Sequence, residues 1–466
     1  MYKQKISRRE MLKLTGTVLA GTILASCGAP AATTQPTATT GAVVQTTNTP
    51  APKKASGEVV VFHQPSEFSQ DQINAFQTAN PDITVTLVDS ADNTKLYAMI
   101  AANTPPDLVR VQAPDIPGYL ARKMLKDLTP YFTASAVLKL DDLQPANDYY
   151  KAKSPFEIGS GPIYGMCKDF SPDFTVFAAK QPFQDAGVAV PDPATALTYA
   201  DMATMAQKVA KKDGERITMW GYGYDDAWID RIWMNNLAET NQSLYSDDFT
   251  KMVLSSNADA VKMAKFYFDL AQQNLTPNPL NPSPNGWDGG DFTAGILGLM
   301  QYGFWYTGWI LSNNSVLNSA AVMLPGPTWA GVRRDPTMTA TGMVMEADAK
   351  NPDAAWVVFE YYNAGQPALD RAKSGWGVPA LKSLIDLIPQ ENDFQKQCFT
   401  LLQGELALNT PPLKFNPYLA GADVSTSWKK FLEQGLRGTI SFDDMVKNIE
   451  SEINTLITDN KAKIAG

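Results

Sequence analysis

Past residue 57 the chain sets apolar runs against polar breaks in a regular order. Val59-Val60-Val61-Phe62 is a short unbroken apolar run behind Glu58, the pattern of a strand buried on both faces. Ser69-Gln70-Asp71-Gln72 has the spacing of a capping box, and Ile73 and Phe76 then begin an apolar helix face. Asn80-Pro81 stops that helix, and Ile83, Val85 and Leu87 alternate with polar neighbours as a second strand. Strand, helix, strand is the unit of a doubly wound sheet, in which ligands sit beyond the carboxyl ends of the strands. The pattern next predicts a helix from Lys95 to Asn103, a strand from Leu108 to Val111, and, after Gly118-Tyr119, a helix through Leu125 to Leu128. Asn257 caps a helix with Val261, Ala264 and Phe268 on one face. Ser441-Phe442-Asp443-Asp444 opens a last helix carrying Met445, Ile449, Ile453 and Leu456.

One stretch breaks its own pattern. Phe292 to Trp309 begins as an apolar segment (Ile296, Leu297, Leu299, Met300), halts at Gly303, and then presents Trp305, Tyr306 and Trp309. A glycine there lets the backbone turn or approach something closely. The aromatic rings behind it make a wide, rigid, amphipathic surface, and the stretch reads as the floor of a ligand site.

The N-terminus reads as an address. Lys3 and Lys5 precede Ser7-Arg8-Arg9, and an apolar run from Leu14 to Ala25 follows, too short for a stable bilayer span. The paired arginines resemble a twin-arginine export signal. Leu24-Ala25-Ser26-Cys27-Gly28 resembles a lipobox, which implies a lipoprotein signal peptide over residues 1–27 and acyl chains on Cys27. Residues 28–56, built from Ala, Thr, Pro, Gln and Gly, have neither period nor apolar mass and read as a disordered tether.

Charge and composition narrow the rest. The chain carries 39 basic and 48 acidic residues, a net of −9. An acidic body without a basic stripe argues against nucleic-acid partners. The single histidine, His63, leaves no room for poly-histidine zinc sites, and no nucleophile-elbow, zincin or P-loop motif occurs. No cofactor or metal is expected. More than 400 residues exceed one core, so two lobes are expected. Beyond Cys27 the chain holds only Cys167 and Cys398, expected as two buried free thiols.

Several segments in sequence order carry a resemblance. AFQTANPDITV, PPDLV and GYLARKMLKDL in the first part, Gly161-Pro-Ile-Tyr-Gly-Met166, and Phe183-Gln-Asp-Ala-Gly-Val188 are followed by Phe292-Thr-Ala-Gly295 with Gly303-Phe-Trp305. Leu324-Pro-Gly-Pro327, Asn351-Pro-Asp-Ala-Ala-Trp356 and Gly375-Trp-Gly-Val-Pro-Ala380 complete the series. Together they resemble the family 1 extracellular solute-binding proteins, receptors of ABC importers that include maltose and oligosaccharide binders. Cys167 departs from the pattern by standing where that family usually has proline. The resemblance implies an α/β fold of the type II periplasmic-binding-protein kind, each lobe a sheet flanked by helices, joined by a multi-strand hinge. It implies one lobe from residues 57–168 and 332–375, and the other from 169–331 and 376–466. It implies a monomer without enzymatic activity, anchored by lipid to the outer face of the cell membrane. Its partners would be a small solute, most naturally a sugar, and an ABC permease with its ATPase.

Sugars offer flat apolar faces and hydroxyl edges, so their sites combine aromatic platforms with polar side chains. Seven of the ten tryptophans fall between residues 220 and 329, more than one core needs. Trp305 matches the family's ligand-stacking tryptophan, with Trp309 and Trp228 next and Asp225 and Asp226 beside them. Gly303 precedes that platform, and Trp287 with Asp288 sits in a loop able to reach the cleft. From the first lobe the candidates are His63, Gln64 and Glu67 after one strand and Gln112 and Asp115 after another. Asp169 and Ser171 lie where the chain crosses between lobes, and Trp376 stands between two glycines. Arg333-Arg334 reads as a solvated loop. Two other readings stay open: a carbohydrate hydrolase using an Asp/Glu pair, or this fold holding a polyamine, an anion or a metal complex.

Overall fold

The computed structural model describes residues 55–90, 93–313 and 316–465. The signal, Cys27 and nearly all of the tether lie outside them.

The first apolar run is the strand Gly57–His63, whose central residues Val59 and Val61 are fully buried. The helix Gln70–Ala79 begins with the expected reciprocal cap, Ser69 to Gln72, and buries Ile73 and Phe76. Ile83–Asp89 and Leu108–Val111 lie parallel to the first strand on either side of it. Gly342–Met345 then joins antiparallel to Leu108–Val111, and Gly165–Cys167 joins on its far edge. This gives a five-stranded sheet of order 83–89, 57–63, 108–111, 342–345, 165–167.

A second five-stranded sheet has the order 321–324, 176–179, 297–301, 216–224, 211–213. The stretch that breaks at Gly303 supplies its strand Leu297–Gln301, completely buried, and turns into the helix Tyr306–Asn313. The final helix, Phe442–Ala465, buries Met445, Ile449 and Ile453 as expected, with Ile457 rather than Leu456 continuing the buried face.

The chain passes between the sheets three times. Residues 168–175 lead from the strand Gly165–Cys167 to Val176–Ala179. Residues 325–341 return from Ala321–Leu324 to Gly342–Met345. Residues 375–392 leave the helix Gln366–Ser374 and reach the helix Asp393–Leu406, which packs on the strand Ala321–Leu324. On the way, Val378–Pro379 pairs with Asp169–Phe170.

One local expectation changes. The predicted helix from Leu125 to Leu128 does not form. The helix after Gln112 runs only over Ile116–Ala121, Lys123 takes a left-handed conformation that ends it, and Leu125 bridges to Glu346. Cys167, standing where the family usually has proline, sits in the strand Gly165–Cys167. Its backbone N–H donates to Asn147 Oδ1 at 3.1 Å, a bond that proline could not make. Cys167 and Cys398 are both buried free thiols in different parts of the body.

Candidate functional site

The parallel strands of the first sheet end side by side and deliver a charged surface. The strand through Phe62 is driven inside by its apolar side chains, and the chain emerges only past the buried His63, turning through Gln64. That turn sets Glu67 above the neighbouring strand, whose Arg110 donates to it through Nε (2.7 Å) and Nη2 (2.9 Å). Lys168, at the start of the first crossing, lies 3.5 Å from Glu67 and 2.5 Å from Asp169. Burial acts to raise the Glu67 pKa. Lys168 and then Arg110 outweigh it and hold the carboxyl well below the usual carboxylate range. Two cations and two anions thus neutralise one another on this face.

The second sheet presents aromatic rings. Trp228 lies between the 3-10 turn Asp226–Trp228 and the helix Ile229–Ala238. Trp305 follows the strand Leu297–Gln301, and its ring is 6.5 Å from that of Trp228 and 5.4 Å from that of Trp376. Gly303 is required for this geometry. A Cβ at that position would lie 2.1 Å from Asp173 Oδ1 and 2.3 Å from Ser171 Oγ, so only glycine lets this turn meet the first crossing. Gly375 and Gly377, at φ +72° and +77°, are both left-handed and hold Trp376 out over the cleft.

These faces enclose a cavity of about 160 Å³. Of the residues expected from sequence, Glu67, Gln112, Asp169, Ser171, Trp228, Trp305 and Trp376 line it. Arg110, Lys168, Phe170, Thr339 and Thr341 also line it and were not anticipated. A charged residue inside the apolar strand Leu108–Val111 was a legible sign for Arg110. Lys168 followed an apolar strand end in the same way. The two threonines come from the second crossing, and no local pattern marks them.

The remaining candidates stand elsewhere. His63 is fully buried, packed edge-on against Tyr362 at 4.8 Å and Phe68 at 6.2 Å. Burial pushes its pKa down to about 3, so it is neutral and supports Glu67 from below instead of facing the cavity. Gln64 makes the turn through its carbonyl, which accepts from the Glu67 and Phe68 N–H groups. Asp115 accepts from the backbone N–H of Gly421 at 3.4 Å. Asp225 caps Ala227, and Asp226 pairs with Lys429 at 2.7 Å. Asp288 is buried, and desolvation followed by Asp225 and Asp226 raises its pKa well above the carboxylate range. Trp287 and Trp309 form a layer behind the cavity: Trp287 stacks near Trp305 at 6.3 Å and meets Trp309 edge-on at 4.9 Å. Trp233 and Trp329 belong to packing, the first against Trp428 and the second against Tyr199 and Phe266.

Two sheets of this strand order, three crossings and a lined cleft between them define a two-lobed periplasmic-binding-protein fold. Residues 71–397 match the family described as bacterial extracellular solute-binding protein, and the chain belongs to that family. Its members are binding proteins, and the family is extracytoplasmic. Among solved structures the chain is similar to the ABC substrate-binding protein Lmo0181 from Listeria monocytogenes in complex with cycloalternan. That match has a TM-score of 0.69 at 20% identity and covers 86% of this chain and 98% of that one. It is also similar to a solute-binding protein from Thermotoga lettingae bound with alpha-D-tagatose (TM-score 0.67, 16% identity, covering 86% and 100%). A third similar structure is the GacH receptor of Streptomyces glaucescens, solved unliganded and with acarbose (TM-score 0.65, 16% identity, covering 87% and 99%). A search of curated protein sequences gives no match. No helix among the described residues is long and apolar enough to cross a membrane.

Proposed function

We propose that this chain is the substrate receptor of an ABC importer and captures a small carbohydrate between its lobes, without making or breaking a bond. The observation that carries this reading is the pairing of Trp228, Trp305 and Trp376 with Gln112, Thr341 and a self-neutralised set of charges around one cavity. Rings supply faces for the apolar side of a sugar, and amide, hydroxyl and charged groups meet its edge. The solved relatives that hold cycloalternan, tagatose and acarbose support the same ligand class. In this reading residues 57–168 with 332–375 form one lobe and 169–331 with 376–466 the other. Ligand contacts both and shifts the population to the form that the permease recognises. Lipid on Cys27, export through the twin-arginine signal and a monomeric body complete the proposal.

The test is a thermal shift of residues 57–466 against mono- and oligosaccharides. A ligand bound only by the folded state raises the melting temperature by mass action. One sugar is expected to shift it, to be recovered intact, and to lose its effect in Trp305→Ala. Recovery of cleaved sugar would move the protein to the hydrolases, and silence across the panel would move the ligand to another solute class.

A further inference from the structure

The adjacent arginines of the second crossing have different fates. Arg333 pairs with Glu405. Arg334 is half-buried and lines a cavity of about 640 Å³. Its Nε donates to Asn235 Oδ1 at 3.3 Å, and its carbonyl accepts from Asn235 Nδ2 at 3.4 Å. One asparagine of the helix Ile229–Ala238 thus fixes the residue at both ends. The two Nη groups, the edge with which a guanidinium grips a carboxylate or phosphate, have no hydrogen-bond or ion-pair partner among the described residues. Burial depresses the Arg334 pKa, and the field of Glu239 does not make up the difference. Glu239 is engaged elsewhere, accepting from the N–H groups of Trp329 (2.8 Å), Ala330 (2.7 Å) and Val332 (3.2 Å).

The cavity has the size of a small-molecule site, roughly 300–1,000 Å³, and shares no lining residue with the ligand cleft. Met234, Leu244, Phe249 and Leu413 give it an apolar wall. Lys414 adds a second cation and Asp247 a single carboxylate, both exposed and neither ion-paired among the described residues. The helix Ile229–Ala238 ends here, but its Leu237 and Ala238 carbonyls are taken by the N–H groups of Gln242 and Asn241 at 3.0 and 3.2 Å. The wall is built under strain. Phe249 holds a left-handed backbone at φ +58°, costly for an aromatic residue and kept only where the surroundings impose it. Its N–H donates to the Ser246 carbonyl at 2.8 Å and its own carbonyl accepts from Asn416 Nδ2 at 2.9 Å, so this face is preformed. We propose that the cavity is a second ligand site, for a small organic anion. The carboxylate or phosphate head meets the Nη edge of Arg334, and an apolar body lies against Met234, Phe249 and Leu413. No tryptophan lines the cavity, which separates its ligand class from that of the cleft.

The site does not depend on the receptor reading, and its test uses no sugar. Sodium benzoate, a carboxylate on one ring, is titrated into the protein and followed by ligand-observed NMR. Saturable binding is expected. Arg334→Met keeps the apolar stem and removes the charged edge, and should weaken binding about tenfold or more. Arg437→Met makes the same change at an exposed ion pair with Glu433 and should leave binding unaltered. Asp247→Asn removes the carboxylate from the wall and should tighten binding about two- to fivefold, a gain that a misfolded variant cannot give. Inorganic phosphate has the charge without the body, and benzyl alcohol the body without the charge, so each should bind more weakly than benzoate. Trp305→Ala should bind benzoate as the wild type does, which separates this cavity from the cleft, where Arg110 and Lys168 also carry charge. Absence of saturable binding overturns the proposal, as does undiminished affinity in Arg334→Met or an equal loss in Arg437→Met. So does loss in Trp305→Ala, no gain in Asp247→Asn, or binding of phosphate or benzyl alcohol as tight as that of benzoate.

Discussion

His63 and Asp173 are both buried titratable groups, and they respond to acid in opposite senses. His63 has its pKa pushed down to about 3 from 6.5 by burial. The unfolded chain therefore binds more protons between those values, and stability falls as pH drops below 6.5. Asp173 has its pKa pushed up to about 6 from 3.8, again by burial. It accepts from Ser171 Oγ at 2.6 Å, from Thr337 Oγ1 at 3.1 Å and from Met338 N at 2.6 Å. Here the folded state binds the extra proton, so stability is gained as pH falls from 6 towards 4. From pH 7 to pH 5 the histidine should cost about 2 kcal/mol and the aspartate should return about 1 kcal/mol. Urea denaturation at the two pH values should therefore show a shallower acid loss in His63→Gln and a steeper one in Asp173→Asn. Equal slopes in wild type and both variants would contradict these assignments.

At the scale of elements, the turn after the strand Leu297–Gln301 decides whether the aromatic face and the first crossing can meet. Gly303→Ala pushes a methyl into Asp173 and Ser171, against atoms fixed by their own hydrogen bonds. A loss of about 3 kcal/mol is expected from overpacking, measured by chemical denaturation. The near-ultraviolet circular dichroism of the tryptophans should change with it. A stability within 0.5 kcal/mol (roughly the limit for neutral surface changes) would show that the turn can relax. The strand-helix-strand opening needed no such tertiary information. The apolar run at Val59, the Ser69 cap and the alternation at Ile83 are local signals, and each formed where its pattern lies. The failed helix after Leu125 is the contrary case. Its residues carry helical propensity, but Leu125 is claimed by a bridge to Glu346, more than two hundred residues away.

For the whole molecule, the two thiols report on how the body is divided. Cys167 lies in the first sheet and Cys398 in the helix that packs on the second, both buried. A thiol titration should find neither reactive in the native body and both reactive in denaturant, with no mass change on reduction. A bonded pair would require the halves of the protein to sit quite differently. What the sequence determined alone was whatever depends on neighbours within a turn or a strand: the order of elements, the caps, and the family they resemble. It also marked the loop ends where Glu67, Gln112 and Trp305 emerge, since those positions follow from where apolar runs stop. Tertiary structure decided which of those residues face one cavity. Asp225 caps Ala227, Asp226 pairs with Lys429, and Asp288 is buried beside both, arrangements that no local pattern announced. Arg333 looked solvated, yet it pairs with Glu405, which the chain brings to it only through the hinge. The physical reason is common to all of them. Charge and hydrogen bonding act through space at a few ångströms, and no local period records which distant oxygen will be within that reach.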